Sequence, residues 1–221
     1  MVIAASLILA LNPVMANEQG EDESEGFMAG YHYVMLDSPV PTAAPDRIEV
    51  IAAFSYGCPY CFDLEPHVMA WESQQKGDVD FQRMHAVWND TMRFYAQVYY
   101  SVINMGITDA VHIPIFNTIH VKQQPLVRPR AVVEFMVGAG FDEQEFMQHF
   151  RSPETQEAVE TAARRVEQYS LSGVPQFVVN GKYRVDPVRA DGRRAMLDVV
   201  DYLVEKERAL LAAKSVAELT E

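Results

Sequence analysis

The apolar positions of this chain change their rhythm several times, and each rhythm predicts a different element. Arg47 to Phe54 (RIEVIAAF) is β-branched and nearly continuous, as in a strand buried on both faces. Directly after it come Ser55-Tyr56-Gly57-Cys58-Pro59-Tyr60-Cys61. Leu64, Val68 and Trp71 then recur at helical spacing, which predicts a helix to about Gln75 with Pro66 inside it. Gly77-Asp78 marks a turn, and Val79 to Val87 alternates imperfectly, as a second strand. From Asp90 to Tyr169 only helical periodicity is found. It covers Met92–Met105, Arg128–Gly138, Asp142–Phe150 and Pro153–Tyr169, with Gly106, Pro114, Pro125 and Gly140 as punctuation. Strand character returns in Pro175–Val179 and Tyr183–Val185. The Asn180-Gly181 between them favours a hairpin, because both residue types accept positive φ. An amphipathic helix is predicted over Asp191–Ala212. Ahead of all this, Tyr31–Leu36 reads as a short edge strand, and Ser38–Asp46, with three prolines, as a loop.

The resulting order is strand, helix, strand, helical block, hairpin, helix. It describes one α/β domain in two parts, residues 31–89 and 171–221, interrupted by an all-helical insertion at 90–170. No internal repeat is present.

The N-terminus reads as a targeting segment. Val2 to Leu11 is apolar except for Ser6. Such a run is shorter than the ~20 residues a membrane-spanning helix needs, and it suits the core of a secretory signal peptide. Val14-x-Ala16 fits a small-residue cleavage site, so residues 1–16 are expected to be removed; no Lys or Arg precedes the run. Residues 17–30 are expected to form a disordered acidic leader, since Glu18 to Glu25 holds four glutamates and one aspartate.

The chain has 221 residues and a formal net charge of −13. That balance argues against nucleic acid and anionic membrane surfaces, both of which are bound through clustered Lys and Arg. The two cysteines are more telling, because both fall within Cys58-Pro59-Tyr60-Cys61 and there are no others. The motif sits where a strand passes into a helix. Unpaired N–H groups and the positive end of the helix dipole gather there and favour an anion. A cysteine at that point is expected to titrate as a low-pKa thiolate, and Pro59 suits the first helical turn, where its missing N–H is not needed. Cys58 is therefore the candidate nucleophile, and Cys61, one turn further in, the candidate resolving thiol. Competing readings are half a zinc site, which would have to draft His67 and His85, and a plain structural disulfide. Zinc needs four ligands, and neither a second C-x-x-C nor a His-x₃₋₅-His pair follows. A loop this short gains little from closure. Pro175, opening a strand after Gly173-Val174, could be cis or trans.

Phe54-Ser55-x-x-Cys58-Pro59-x-Cys61, together with Gly173-Val174-Pro175-x-x-Val178-Val179-Asn180-Gly181-Lys182-Tyr183, resembles the DsbA family of periplasmic disulfide oxidases. Ile113-Pro114-Ile115-Phe116 and the helical insertion are similar to that family too, and the likeness runs from about Tyr33 to the last helix. The resemblance implies an α/β thioredoxin fold with an inserted helical domain and a cis peptide at Val174–Pro175. It implies donation of a Cys58–Cys61 disulfide to newly secreted proteins in the periplasm of a Gram-negative bacterium, with reoxidation by a DsbB-type membrane partner. It also implies that Pro59, Tyr60, Val174 and Pro175 support the site and that Val174 and Pro175 offer backbone to substrate. The redox-active disulfide would be the only redox group, with no separate cofactor and no metal, and the protein is expected to be a monomer.

Two residues depart from the family pattern. Tyr60 stands where the family usually has His, and a phenol cannot supply the cationic character of an imidazole. A milder oxidant is expected, since a Pro-Tyr dipeptide resembles glutaredoxins. Ala52 stands where thioredoxin-like proteins often bury an acid, and Glu49 falls on the other face of the strand. His85 reads as a strand histidine satisfied within the fold, and Trp71 and Trp88 as packing residues. Met84, Met92 and Met105 read as core filling. Ser55, His67, His149 and Asp198 form no hydrolase constellation. The alternatives to a disulfide donor are a reductase or isomerase, and a secreted peptide-binding chaperone.

Overall fold

The computed structural model describes residues 26–218. The apolar segment at 1–16 and the acidic stretch at 17–25 lie outside the described residues. The elements in chain order are β1 (Val34–Met35), β2 (Ile48–Phe54), α1 (Pro59–Glu72), β3 (Val79–His85), α2 (Asp90–Asn104) and α3 (Thr108–His120). There follow α4 (Pro129–Gly138), α5 (Glu143–Phe150), α6 (Pro153–Gln168), β4 (Gln176–Val179), β5 (Tyr183–Val185) and α7 (Ala195–Glu218). One five-stranded mixed sheet runs in the order β1-β5-β4-β2-β3. β2 pairs parallel with β3, Phe54 opposite His85, and antiparallel with β4, Ala53 opposite Gln176.

Every residue of β2 is buried, as its unbroken apolar run requires of a central strand. Alternate side chains feed different layers. Ile48, Val50 and Ala52 join Leu64, Val68 and Trp71 of α1 and Met196, Val200 and Leu203 of α7. Ile51 and Ala53 face the other way, onto Ala96 of α2 and Val159, Ala162 and Val166 of α6. A third cluster, mostly helical, holds Val98, Val102, Ile115, Phe116, Val132, Met136 and Phe146; Phe54, Tyr56 and Cys61 lie at its border with the sheet. The insertion thus shares its core with the end of β2 from which α1 departs.

Some expectations need correction. Pro114, read as punctuation, lies inside α3. A mid-helix proline costs ~3 kcal/mol, but α3 buries Val111, Ile115 and Phe116 completely, and each such side chain returns ~1.5–3 kcal/mol. The leader does not extend to Gly30: Phe27 sets its ring edge-on to His32 and to Tyr202, at 5.2 and 5.7 Å, and Gly30 N–H bonds the Tyr33 carbonyl at 2.7 Å. An aromatic anchor therefore fixes the chain before β1. The edge strand is shorter than predicted, and α7 begins at Ala195, after a loop with positive φ at Asp191 and Gly192. Trp88 is 42% exposed; it lies in the connection between β3 and α2, next to the α2 N-cap Asn89.

The hairpin is as its sequence predicts, with φ of 49° at Asn180 and 60° at Gly181. Val40 N–H donates to the Gly181 carbonyl at 2.8 Å, which lays the proline-rich loop against the turn. A Cβ on Gly181 would collide with the Val40 carbonyl oxygen. Buried Glu207 of α7 accepts from Asn180 Nδ2, Lys182 Nζ and Tyr183 Oη at 2.5, 2.6 and 2.9 Å, so one carboxylate fastens the helix to the hairpin. Gly181→Ala is expected to cost ~2 kcal/mol or more, from the left-handed backbone plus the collision. Urea unfolding at constant m-value would measure it, and a loss below ~0.5 kcal/mol would show that the 38–46 loop can lift away freely.

Candidate functional site

The turn joining β2 to α1 is fixed atom by atom. Tyr56 N–H donates to His85 Nε2 at 3.1 Å, and His85 Nδ1–H donates to the Ala86 carbonyl at 2.9 Å. Both ring nitrogens are thereby spent on backbone, and burial pushes the histidine pKa down to about 3, so it stays neutral. Tyr56 Oη meets His112 Nδ1 at 3.0 Å, and His120 Nε2–H donates to the Tyr56 carbonyl at 2.8 Å. Gly57 has room for little else, since a Cβ there would stand 3.2 Å from the Tyr95 ring. Cys58 N–H closes the turn on the Ser55 carbonyl at 3.0 Å.

Cys58 is thus the N-cap of α1, with extended backbone at φ −92° and ψ 114°, and Pro59 opens the helix. No side-chain oxygen caps this helix. The N-cap position is held by Cys58, so its sulfur stands beside the uncapped end. Cys58 is half-buried, Cys61 is 3% exposed, and both are free thiols in this structure. The Cys58 pKa is lowered to about 6. The hydrogen bond from the Cys61 thiol contributes most; burial opposes it, and the N–H groups of Cys61 and Tyr60 and the charge of Arg193 add to the lowering. Cys61 moves strongly upward, first because it is buried and then because its thiol donates a hydrogen bond to the Cys58 sulfur. The pair therefore holds one proton, on the inner sulfur.

Val174 comes from across the sheet. The Val174–Pro175 peptide is cis, and the Val174 carbonyl lies 3.5 Å from Cys58 Sγ. Pro175 is buried and leads into Gln176, paired with Ala53 of β2. The six residues singled out in the sequence thus meet at one end of the sheet: Cys58, Pro59, Tyr60 and Cys61 on the first turn of α1, Val174 and Pro175 facing them. Tyr60 is 54% exposed and points outward.

Ala52 and Glu49 lie on opposite faces of β2, as their spacing predicts. Glu49 is buried beside Tyr169 Oη at 3.5 Å, and its burial raises its pKa. An acid with no conspicuous sequence signature acts on the inner thiol. Glu65, one helical turn beyond Cys61, is buried, and its Oε1 takes Arg83 Nε at 2.8 Å with His112 Nε2 at 3.5 Å. Arg83 also reaches Glu72 at 2.8 Å. The i, i+4 spacing from Cys61 was the available signal for Glu65. Nothing in the sequence pointed to Arg83, His112 or Arg193. His67, the other drafted zinc ligand, lies on α1 away from His85, and among the described residues no three His, Cys, Asp or Glu side chains gather so as to hold a metal ion. Among the described residues no helix is long and apolar enough to cross a membrane.

Residues 78–203 match the profile of the DSBA-like thioredoxin domain. The thiol:disulfide interchange protein DsbA of Pseudomonas aeruginosa is 36% identical over 205 residues, spanning 92% of this chain and 97% of that one. The protein of the same name from Azotobacter vinelandii is 38% identical over 180 residues, 81% of this chain and 84% of the other. The crystal structure of Pseudomonas aeruginosa DsbA superposes with a TM-score of 0.80 at 38% identity, covering 85% of this chain and 97% of that one. This chain belongs to the DsbA family: it is a thiol:disulfide oxidoreductase with a thioredoxin fold and a helical insertion.

Proposed function

We propose that the protein is a disulfide donor acting on newly secreted polypeptides. The observation that carries this reading is the division of labour between the two sulfurs. Cys58 is accessible and readily ionised, whereas Cys61 is buried and keeps its proton. In the oxidised form a substrate thiolate attacks Cys58 Sγ. The Cys58–Cys61 bond breaks, its electron pair passes to Cys61, which takes up a proton, and a mixed disulfide links substrate to Cys58. A second substrate thiol, giving up its proton, then attacks the substrate sulfur of that bond. Cys58 leaves as a thiolate. Overall, two substrate thiols become one disulfide, the enzyme disulfide becomes one thiolate and one thiol, and one proton is released.

A low-pKa sulfur is a good leaving group, so a stabilised Cys58 thiolate draws exchange toward oxidised substrate. The Val174 carbonyl beside Cys58, and Pro175 behind it, would present backbone to the substrate segment as it approaches; Pro59 and Tyr60 fix the sulfur at the helix start. Reoxidation falls to a DsbB-type membrane oxidase. The compartment is the periplasm of a Gram-negative bacterium, reached through the apolar segment at 1–16. The working form is a monomer with no metal and no cofactor beyond its own cysteines.

Thiolate absorbance of the reduced protein is expected to titrate with a midpoint near pH 6 and to vanish in Cys58→Ser; a midpoint at or above ~8.5, the free-thiol value, would remove the mechanism. The stability consequence has a definite sign. Because the folded-state pKa is depressed, the thiolate stabilises the reduced protein fully above ~8.5, less as pH falls, and not at all below about 6. The stability advantage of reduced wild type over reduced Cys58→Ser should therefore shrink as pH drops from 8.5 to 6.

Cys58→Ser is expected to abolish oxidation of a reduced substrate peptide. Cys61→Ser, mixed with the disulfide form of that peptide, is expected to accumulate a mixed disulfide read by mass spectrometry, because the Cys58 thiolate opens the peptide disulfide and no resolving thiol remains. Trapping by Cys58→Ser instead would reverse the two roles. Equilibration of wild type with glutathione is expected to give a potential above about −200 mV; a value near that of thioredoxin, about −270 mV, would favour a reductase. A peptide-binding chaperone would lose nothing on Cys58→Ser.

A further inference from the structure

Arg193 comes to the redox pair from a part of the chain remote from the cysteines. It follows Asp191 and Gly192, which hold positive φ of 58° and 128° and turn the chain just before α7. Its guanidinium carbon lies 4.4 Å from the centroid of the Tyr60 ring. That distance is within cation–π range, and a flat guanidinium suits an aromatic face. Tyr60 is the residue between Pro59 and Cys61, and its N–H is one of those directed at the Cys58 sulfur. The ring is thus a shelf at the mouth of the site, and a cation rests on it.

Arg193 is also an unneutralised cation. Among the described residues no carboxylate lies within ion-pair distance of its guanidinium, whereas Arg189, four positions earlier in the chain, is paired with Asp186. It lines a hollow of about 730 Å³ with Asp63, Leu64, His67, Asp191 and Arg194. The charged and titratable groups facing it are therefore Asp63 and His67 from α1, and Asp191 and Arg194 from its own loop. The two aspartates offset part of the field of the two arginines; Glu65 lies on the buried side of α1, behind Cys61.

We propose that Arg193 is a positioning cation of the redox centre, seated on Tyr60 so that a positive charge stands beside Cys58 in the reduced enzyme. The disulfide form offers that charge no anion, whereas the dithiol form offers a thiolate, so Arg193 favours reduction of the enzyme and hence oxidation of its substrate. It supplies through space the positive character that Tyr60 cannot provide by its own chemistry. The redox direction rests on the disulfide-donor reading; the interaction with Cys58 does not.

The test uses the full chain and the variants Arg193→Gln, Arg193→Lys and Tyr60→Leu. Two quantities are measured at low salt: the Cys58 thiolate midpoint by absorbance, and the equilibrium constant against glutathione. For Arg193→Gln the midpoint is expected to rise by about 0.5 unit, a charge interaction across a solvent-exposed gap, and the equilibrium to move about threefold toward the disulfide form. At 29.6 mV per tenfold that is about 14 mV less oxidising. Arg193→Lys is expected to recover most of both changes, because the charge is retained. Tyr60→Leu, which removes the shelf and keeps the cation, is expected to fall between wild type and Arg193→Gln. Raising salt from 0.05 to 0.5 M should narrow the gap between wild type and Arg193→Gln.

A wild-type midpoint in Arg193→Gln at low salt would overturn the proposal, as would an Arg193→Lys that behaves like Arg193→Gln. A Tyr60→Leu identical to wild type would overturn the seating on the ring. Arg193 is exposed, so the fold is expected to survive, and equal urea midpoints of the reduced variants at pH 5, where Cys58 is protonated, would confirm it. Failure of the donor reading would look different: a reducing potential in every variant, with the thiolate midpoints still separated.

Discussion

The first turn of α1 begins at a sulfur instead of an oxygen, and much of the molecule is arranged around that substitution. The first N–H groups of any helix lack partners within it, and a protein normally answers them with a side-chain oxygen. Asn89, Asp142 and Ser152 do so here for α2, α5 and α6. At α1 the donors are left to Cys58, and a donor cluster with no oxygen to satisfy it stabilises sulfur as an anion. The same electrostatics that would make an uncapped helix end a defect makes this one a site. The arrangement needs the helix terminus to be immobile. It is, because β2 is buried along its whole length and Tyr56, next in line, has its N–H, its carbonyl and its hydroxyl each held by a different histidine.

Two sulfurs three positions apart on one chain would behave alike in water. They differ because the core shared with the insertion encloses Cys61 and meets Cys58 only at its edge. Cys61 is packed with Tyr56, Tyr95, Ile115 and Phe116, so ionising it would bury a charge among apolar groups, whereas Cys58 reaches the surface. Burial thus decides which sulfur carries the charge, and the hydrogen bond between them reinforces that decision. The helical insertion acts on the chemistry through this asymmetry, and its own hydrophobic core is what holds it in position.

Charges beneath the site follow a different logic. Glu65 and Arg83 form a close pair of little exposure, backed by Glu72 and by His112. Such a pair returns little net stability, since desolvation offsets most of its attraction, but removing one member would strand the other. Its consequence for the site is a fixed negative charge one helical turn below Cys61, which adds to the cost of ionising that thiol. With Arg193 on the outer side and Glu65 on the inner, the field across the motif runs in the direction that places the anion on Cys58.

Much of this was legible in the amino-acid sequence, for reasons that are local. The buried run Arg47–Phe54, the Asn180-Gly181 hairpin, the helical periods of the insertion, and a C-P-x-C at a strand-to-helix junction all depend on neighbours within a few positions, and they located the fold class and the pair Cys58 and Cys61. The sequence also told that Ala52 and Glu49 lie on opposite faces, because strand phase is a matter of counting. It misjudged Pro114, whose local penalty is outweighed by the burial of α3, and Trp88, which falls in the connection between β3 and α2. The approach of Val174 to Cys58, the Glu65–Arg83 pair and the seating of Arg193 on Tyr60 were decided only by the tertiary structure. Each joins segments remote in sequence, and the energy of such a contact depends on distance and burial, which no local pattern of residues encodes.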